Sequence, residues 1–474
     1  MVSNNNTNKM QTALPAAFVE QVGTTHPGLV ESLETESPVS VRFNPTKPYR
    51  LPASLAGSPV PWCEAGEACY LTERPVFTTD PAFHGGAYYV QEAGSMFVGW
   101  LLRRLMAQGE VPATPRVLDL CAAPGGKTTH LASIVGTEGI VVANEVIRTR
   151  AKTLAENVQK WGTGNVAVTS NDPTAFGQGL PEFFDVVVVD APCSGEGMFR
   201  KDMGARAEWS PENVQLCAAR QRRILSDVWE ALRPGGILIY STCTFNAQED
   251  EENAAWIAEE LGGELLPMED VPAGIEVGTL HGNSVGWHFF PHRVQSEGFY
   301  AAVIRKNGSA PRHTPKARPS RALTPVRGQG EGRLAQWLAP NDPVEHYRLA
   351  SDEKTVYGFS SPMLETVTAL LNGRFILLYS GVQLGEWIRE SLKASHSLAL
   401  YAGVNRSAVP TAELTEAAAL EYLRKGSSAA LLPPDLFAEG LNLVTFQAIA
   451  LGWVKRIGGR YNNLYPSSWR ILHY

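Results

Sequence analysis

The chain has 474 residues, a formal net charge of −7, 44% hydrophobic and 19% charged residues. It is too long for one ordinary core, so two or three domains are expected, with the composition of a soluble globular protein. No segment reaches a membrane-spanning run of apolar residues, and MVSNNNTNKMQTALP at the amino terminus carries no apolar stretch of signal length. Six cysteines without close pairing argue against a disulfide framework, no second pair completes a zinc site with Cys63 and Cys69, and a reducing cytoplasm is the expected compartment. The acidic total disfavours strong nonspecific nucleic-acid binding.

Residues 1–110 read as a small mixed accessory domain. PAAFVEQV begins a helix, VSVRFNP is a strand, residues 52–69 form a Pro/Gly-rich loop, and YYVQEAGSMFVGWLLRRLMAQG is a helix with an apolar side at Met96, Val98, Leu101, Leu102 and Leu105. Residues 111–307 alternate strands and helices. RVLDLCA, GIVVANE, NVAVTSND, FDVVVVDAP, GGILIYSTCT and FYAAVIRK are strands; GGKTTHLASIV, RTRAKTLAENVQKWG, NVQLCAARQRRILSDVWEAL and DEENAAWIAEELGG are helices. The fold class is α/β, a Rossmann-like domain whose mostly parallel sheet holds its ligand at the carboxyl ends of the strands. Residues 308–329 are a basic, Pro-rich linker. Residues 330–474 form an α+β region with a strand at FILLYS, helices near 413–425 and a Gly/Tyr/Trp-rich end.

Charge is uneven. Arg305 to Arg327 holds seven Lys or Arg and no acid; Gly440 to the end holds Lys455, Arg456, Arg460 and Arg470, again with no acid. Acidity concentrates at Glu249 to Glu252. The basic stretches suit phosphate contacts, and Tyr461, Tyr465 and Trp469 offer either a base-stacking face or a small core.

LDLCAAPGGKT runs from a strand into a helix, with Ala122, Ala123, Gly125 and Gly126 allowing close backbone approach to a ligand. It lacks the spacing of dinucleotide or P-loop motifs. Glu145 ends the second strand, where a carboxylate accepts both ribose hydroxyls, and Asp172 ends the third, within reach of an adenine amino group. S-adenosylmethionine fits this order better than a pyrophosphate dinucleotide.

Cys193 in DAPCSGEG and Cys243 in YSTCTF each follow a β-branched run. Carbon 5 of a pyrimidine is a poor nucleophile until a thiolate adds at carbon 6; a second thiol near the ring helps remove the carbon-5 proton and release product. Asp190 is placed to hydrogen-bond the base edge. Cys121 and Cys217 read as small buried hydrophobes.

LDLCAAPGGKT, VVVDAPCSGEG and YSTCTF resemble the RNA cytosine-5 methyltransferases of the Nol1/Nop2/Sun group. QEAGSM, SVRFNP, DAPCSGEGMFRKD, HFFPHR, EGFYAAVIRK and GWVKRIGGRYNNLYPSSWRI extend the likeness to the bacterial RsmF-type small-subunit ribosomal RNA branch, with a PUA-like RNA-binding end. The resemblance implies methylation of cytosine carbon 5, with Cys243 as nucleophile, Cys193 assisting release and Asp190 beside methyl group and base. It places S-adenosylmethionine against Cys121, Ala122, Ala123, Pro124, Gly125, Gly126 and Lys127, with Glu145, Arg150, Asp172 and Asp190. Lys201 is expected to meet RNA phosphate, joined by Lys455, Arg456 and Arg460. The partner implied is ribosomal RNA in a small subunit or its precursor, with no metal, no membrane and a monomeric enzyme. A transfer-RNA cytosine-5 methyltransferase and a catalytically silent assembly factor stay open; a DNA or small-molecule methyltransferase fits DAPCSGEG and the basic end poorly.

Overall fold

The computed structural model describes residues 13–310, 320, 322–389, 391–426 and 428–472. Residues 311–319 and 321 of the expected basic linker therefore lie outside the described residues. The chain forms two compact units. The smaller comprises residues up to Pro38, Asp190–Ser226 and Ile239–Arg305; the larger comprises Val39–Val189, Asp227–Leu238 and the remainder from Lys306.

In the larger unit the strands Arg116–Asp119, Ile140–Asn144 and Val166–Thr169 pair in parallel in that order, and Phe184–Asp190 lies parallel on the other side of Arg116–Asp119. Leu232–Thr242 follows beyond Phe184–Asp190. Order therefore reverses beside Arg116–Asp119, which places a ligand crevice at the carboxyl end of that strand. These strands read as unbroken apolar runs because both faces are covered; Val117, Val141, Val166 and Val186 are each 1% exposed or less. Arg148–Trp161 is a helix stopped by Gly162, whose φ of 77° suits glycine. A Cβ at Gly162 would also sit 2.1 Å from the Leu400 carbonyl oxygen.

Two elements differ from the sequence expectation. Tyr88–Val90 is a strand paired with Ser40–Phe43, and the helix itself is Phe97–Ala107. The Glu92 carboxylate accepts the N–H groups of Gly94 and Ser95, both at 2.8 Å, and so sets the turn between them. Residues 52–69 include the edge strand Ala56–Pro59, held on Ala68–Leu71 by pairing that its Ala, Gly, Ser and Pro do not advertise.

The carboxyl-terminal residues build two antiparallel-rich sheets. The first is ordered Leu323–Pro325, His346–Ala350, Thr355–Phe359, Val382–Ile388, Ser391–Ala394. The second is ordered Thr411–Glu413, Gly440–Phe446, Ile449–Ile457, Arg460–Asn463. The FILLYS strand, Leu377–Ser380, belongs to neither: it pairs antiparallel with Val166–Thr169 and extends the parallel sheet.

In the smaller unit Glu276–Leu280, Asn283–Phe289 and Phe299–Lys306 form antiparallel neighbours. Helix Ala16–Gly23 buries Phe18 and Val22 among Phe199, Trp209, Phe245 and Phe290. Phe18 meets the Phe199 ring edge-on at 5.0 Å. Among the described residues no helix is long and apolar enough to cross a membrane.

Candidate active site

The thiols of Cys193 and Cys243, 50 residues apart in sequence, lie 2.9 Å apart in the smaller unit. The Cys243 N–H also points at the Cys193 sulfur, 3.4 Å away. Both cysteines are partly exposed, whereas Ser194, Thr242 and Thr244 beside them are buried. The thiols thus project from a packed floor. The hydrogen bond to the Cys243 sulfur, then burial, raises the Cys193 pKa well above the ordinary thiol value. The two sulfurs are close enough to share one proton, with either atom as the donor.

Both cysteine loops are tied to one another through their backbones. Gly197 donates to the Cys243 carbonyl at 2.8 Å, and Ala191 donates to the Ser241 carbonyl at 2.8 Å. A Cβ at Gly197 would lie 2.4 Å from the Gly298 carbonyl oxygen, so only glycine fits this crossing. Asp190 accepts a hydrogen bond from the Ser241 hydroxyl at 2.8 Å.

Residues that the sequence left unassigned hold this floor. Glu196, 1% exposed, accepts from Phe245 N–H at 2.7 Å, Trp209 Nε1 at 2.9 Å and Asn246 Nδ2 at 3.0 Å. Burial raises its carboxyl to about 7, despite the hydrogen bond from Phe245. Glu249 and Asp250, in the acidic run noted in the sequence, are fully buried and Glu251 nearly so. The only sequence signal for this is polar residues crowded directly after a strand-end cysteine.

The cofactor loop lies in the larger unit. Gly125 has φ 113° and caps the helix Gly126–Val135. Thr128 Oγ1 donates to Asp119 at 2.6 Å, fixing the first turn to the strand. The loop's carbonyls are held by side chains: Ala123 by Arg150 at 3.1 Å, Pro124 by Asn157 at 2.8 Å and Gly126 by Arg42 at 3.1 Å. Glu145 is 5% exposed, accepts the Ile147 N–H at 2.9 Å and lies 3.5 Å from Arg150. Val146 and Ile147, directly after it, are 52% and 51% exposed, an apolar surface suited to an adenine ring that the sequence reading passed over. Asp172 caps helix Pro173–Gly179 through Thr174 N–H at 3.1 Å, and is exposed. Lys127 is partly exposed in the first turn of its helix. Cys121, expected to be buried, is partly exposed in this loop, while Cys217 is buried. Small loop residues, a left-handed glycine and a buried carboxylate followed by apolar side chains suit an S-adenosyl group.

The expected RNA contacts divide. Lys201 is exposed and 3.5 Å from Glu297. Lys455 and Arg460 are exposed, but Arg456 donates to the Gly458 and Phe437 carbonyls at 2.9 and 2.7 Å and so braces a turn. Tyr465 is 1% exposed, with Tyr461 and Trp469 packed around the same core. These aromatics are core rather than a stacking face.

A reversed-order parallel sheet, a glycine-rich loop after its first strand and two thiols at later strand ends define a Rossmann-like methyltransferase. A family model of the 16S rRNA methyltransferase RsmB/F matches residues 110–305, the N-terminal domain of 16S rRNA methyltransferase RsmF matches 14–93, and the methyltransferase RsmF PUA domain matches 409–471. The ribosomal RNA small subunit methyltransferase F of Escherichia coli O81 (strain ED1a) is 36% identical over 425 residues, covering 86% of this chain and 84% of the relative. Its counterpart in Serratia proteamaculans (strain 568) is 35% identical over 423 residues, with the same coverage. The crystal structure of PH0851 is 26% identical with a TM-score of 0.54, covering 62% of this chain and 66% of that one. NSun6 from Pyrococcus horikoshii with SFG shares the fold at 21% identity and a TM-score of 0.50, covering 63% and 100%. The chain belongs to the RsmF family of methyltransferases.

Proposed function

We propose that this chain methylates carbon 5 of a cytosine in small-subunit ribosomal RNA, with Cys243 as nucleophile and Cys193 as the thiol of product release. The paired sulfurs at 2.9 Å carry this reading. Bound S-adenosylmethionine supplies the electrophilic methyl group. Cys243 thiolate adds to carbon 6, pushing electrons toward N3 and enriching carbon 5. Asp190, held by Ser241, hydrogen-bonds the base edge and orients the ring for attack. After transfer, Cys193 takes part in removing the carbon-5 proton, the carbon 5–carbon 6 double bond re-forms, and the Cys243 sulfur leaves. Both thiols must reach the ring, so the cytosine leaves its stack and a loop or weakly paired position is favoured.

Of the expected cofactor contacts we assign Cys121–Lys127, Glu145 and Arg150, with Val146 and Ile147 against adenine, while Asp190 is assigned to the base edge and Asp172 to capping its helix. Residues 1–110 and 330–474 serve as accessory and RNA-binding regions around the methyltransferase domain at 111–307, and the enzyme works as a cytoplasmic monomer on a small subunit or its precursor. Bisulfite sequencing of RNA from a strain lacking the gene tests the assignment. A 5-methylcytosine is lost from small-subunit RNA and restored by the wild-type gene; loss confined to transfer RNA, or no loss, overturns it.

A further inference from the structure

Two adjacent buried acids each bracket one of the thiols. Asp250 accepts, on one carboxylate oxygen, hydrogen bonds from the hydroxyls of Thr242 and of Thr244, the latter at 2.9 Å. The two hydroxyls also contact each other at 2.8 Å. These are the residues immediately before and after Cys243. Glu249 does the same for the other loop. It accepts the Ser194 N–H at 3.0 Å and the Ser194 hydroxyl, on the residue after Cys193. It also accepts Gln221 Nε2 at 2.7 Å, and that amide donates to the carbonyl of Pro192, the residue before Cys193, at 3.1 Å.

We propose that the Glu249–Asp250 dipeptide is a positioning device that fixes the separation of the two thiols, Asp250 setting Cys243 and Glu249 setting Cys193. This rests on the assignment of attack to Cys243 and release to Cys193. Because the acids are neighbours on one backbone, a shift in one loop is transmitted to the other within a single residue. Asn246 closes the arrangement: its Nδ2 donates to Glu249 at 2.9 Å and to Glu196 at 3.0 Å, and its Oδ1 accepts the Glu249 N–H at 2.9 Å. Tyr240, on the strand that leads to Cys243, donates to the Glu249 carbonyl at 2.6 Å, and Asn253 Nδ2 donates to Gln221 Oε1 at 2.7 Å, which fixes the orientation of the Gln221 amide.

The two acids differ in what they tolerate. The hydrogen bonds to the Glu249 carboxylate come from donors spread over both oxygens: Ser194 N–H and O–H, Gln221 Nε2 and Asn246 Nδ2. A glutamine there sets an NH2 against donors, and the Ser194 loop loses its hold. The threonine hydroxyls use a single oxygen of Asp250, which an asparagine amide oxygen replaces. The second Asp250 oxygen, Oδ2, is buried with no hydrogen-bond partner among the described residues, so the hold on the Cys243 loop runs through Oδ1 alone.

The full-length protein, a labelled ribosomal RNA fragment and S-adenosylmethionine test this, with covalent adduct and released methylated RNA quantified separately over time. Asp250→Ala slows adduct formation on the order of 10- to 100-fold, the cost of a misplaced attacking atom, while release from each adduct keeps its wild-type rate. Asp250→Asn recovers most of the loss. Glu249→Gln forms adduct readily but releases it on the order of 10- to 100-fold more slowly. Cofactor affinity stays at the wild-type value in all three. If Glu249→Gln does not fold, Ser194→Ala removes one hold on the same loop and slows the same step. Equal losses in both steps for both variants, or no loss in either, overturn the inference. A Cys243→Ser protein that still makes product defeats the underlying cysteine assignment instead.

Discussion

Arg42 donates its guanidinium to the carbonyl of Gly126, 3.1 Å away, at the first residue of the helix that follows the cofactor loop. Its Nε holds Gln91 at 2.8 Å, its other contact is Thr129 Oγ1 at 2.6 Å, and it lies 4.4 Å over the Trp161 ring. Burial lowers its pKa to about 10, so it stays charged near neutrality. Arg42→Ala is expected to weaken S-adenosylmethionine binding by about 1–2 kcal/mol, with Arg42→Lys failing to restore it because one ammonium cannot reproduce the fork. Calorimetric affinity unchanged in a folded Arg42→Ala protein would separate this anchor from the cofactor site.

Glu145 makes the complementary case within the same unit. One oxygen is committed to Ile147 N–H at 2.9 Å, which orients the carboxylate proposed to accept the ribose hydroxyls. Glu145→Ala is expected to lose roughly 1–3 kcal/mol of cofactor affinity with a modest change in melting temperature. Asp172→Ala should do the reverse: as a helix cap its loss costs about 1 kcal/mol of stability. Calorimetry and thermal unfolding on the two variants separate ligand from cap, and equal cofactor losses in both would restore Asp172 to the binding site.

The parallel strands were legible because valine and isoleucine runs between Gly-rich turns have few other solutions, and the cysteines because they sit where such runs end. Lys47 and Asn44 were not, although they follow the SVRF strand. They donate to the carbonyls of Lys160 and Trp161 at 2.5 and 2.8 Å, so the NPTK segment caps a helix more than 100 residues away. Glu249 and Asp250 were not assigned a role for the same reason: nothing local to a run of acids shows that it is buried against partners such as Ser194, 55 residues away. Leu377–Ser380 was recognised as a strand, but period and composition say nothing about which sheet an edge strand joins.

Glu196 gives the site a pH signature. Its folded pKa is about 7 against an ordinary 4.5, so its contribution is fully present below about 4.5 and is lost as pH rises through 7. The loss is on the order of 3 kcal/mol. Urea unfolding of wild type and Glu196→Gln at several pH values is expected to show a difference in stability that changes between pH 5 and 8 and is flat above. Parallel curves for the two proteins across that window would show that Glu196 does not titrate there.

The basic end now has a narrower expectation. Lys455 and Arg460 are exposed, whereas Arg456 is bound to two backbone carbonyls. Neutralising Lys455 and Arg460 together should weaken RNA binding and shallow its salt dependence by about 2 in logarithmic slope, since each phosphate contact releases condensed counterion. Arg456→Gln should lower stability first. Filter-binding titrations at several salt concentrations decide between them, and an unaltered slope in the double variant would make this end a folding unit only.

The two thiols are expected to fail differently. Cys243→Ser should abolish methyl transfer and form no covalent RNA, because a serine hydroxyl near neutral pH is a far weaker nucleophile than a thiolate. Cys193→Ser should still allow attack and methyl transfer, then stall, because the group that helps strip the carbon-5 proton is gone. The two sulfurs lie 2.9 Å apart, so both can reach one ring, and each variant removes a different step. Denaturing gels with labelled RNA and S-adenosylmethionine read both outcomes: a retained protein–RNA band with Cys193→Ser that vanishes in the double variant. A band appearing only with Cys243→Ser would exchange the two roles, and full turnover in both single variants would rule out the covalent route.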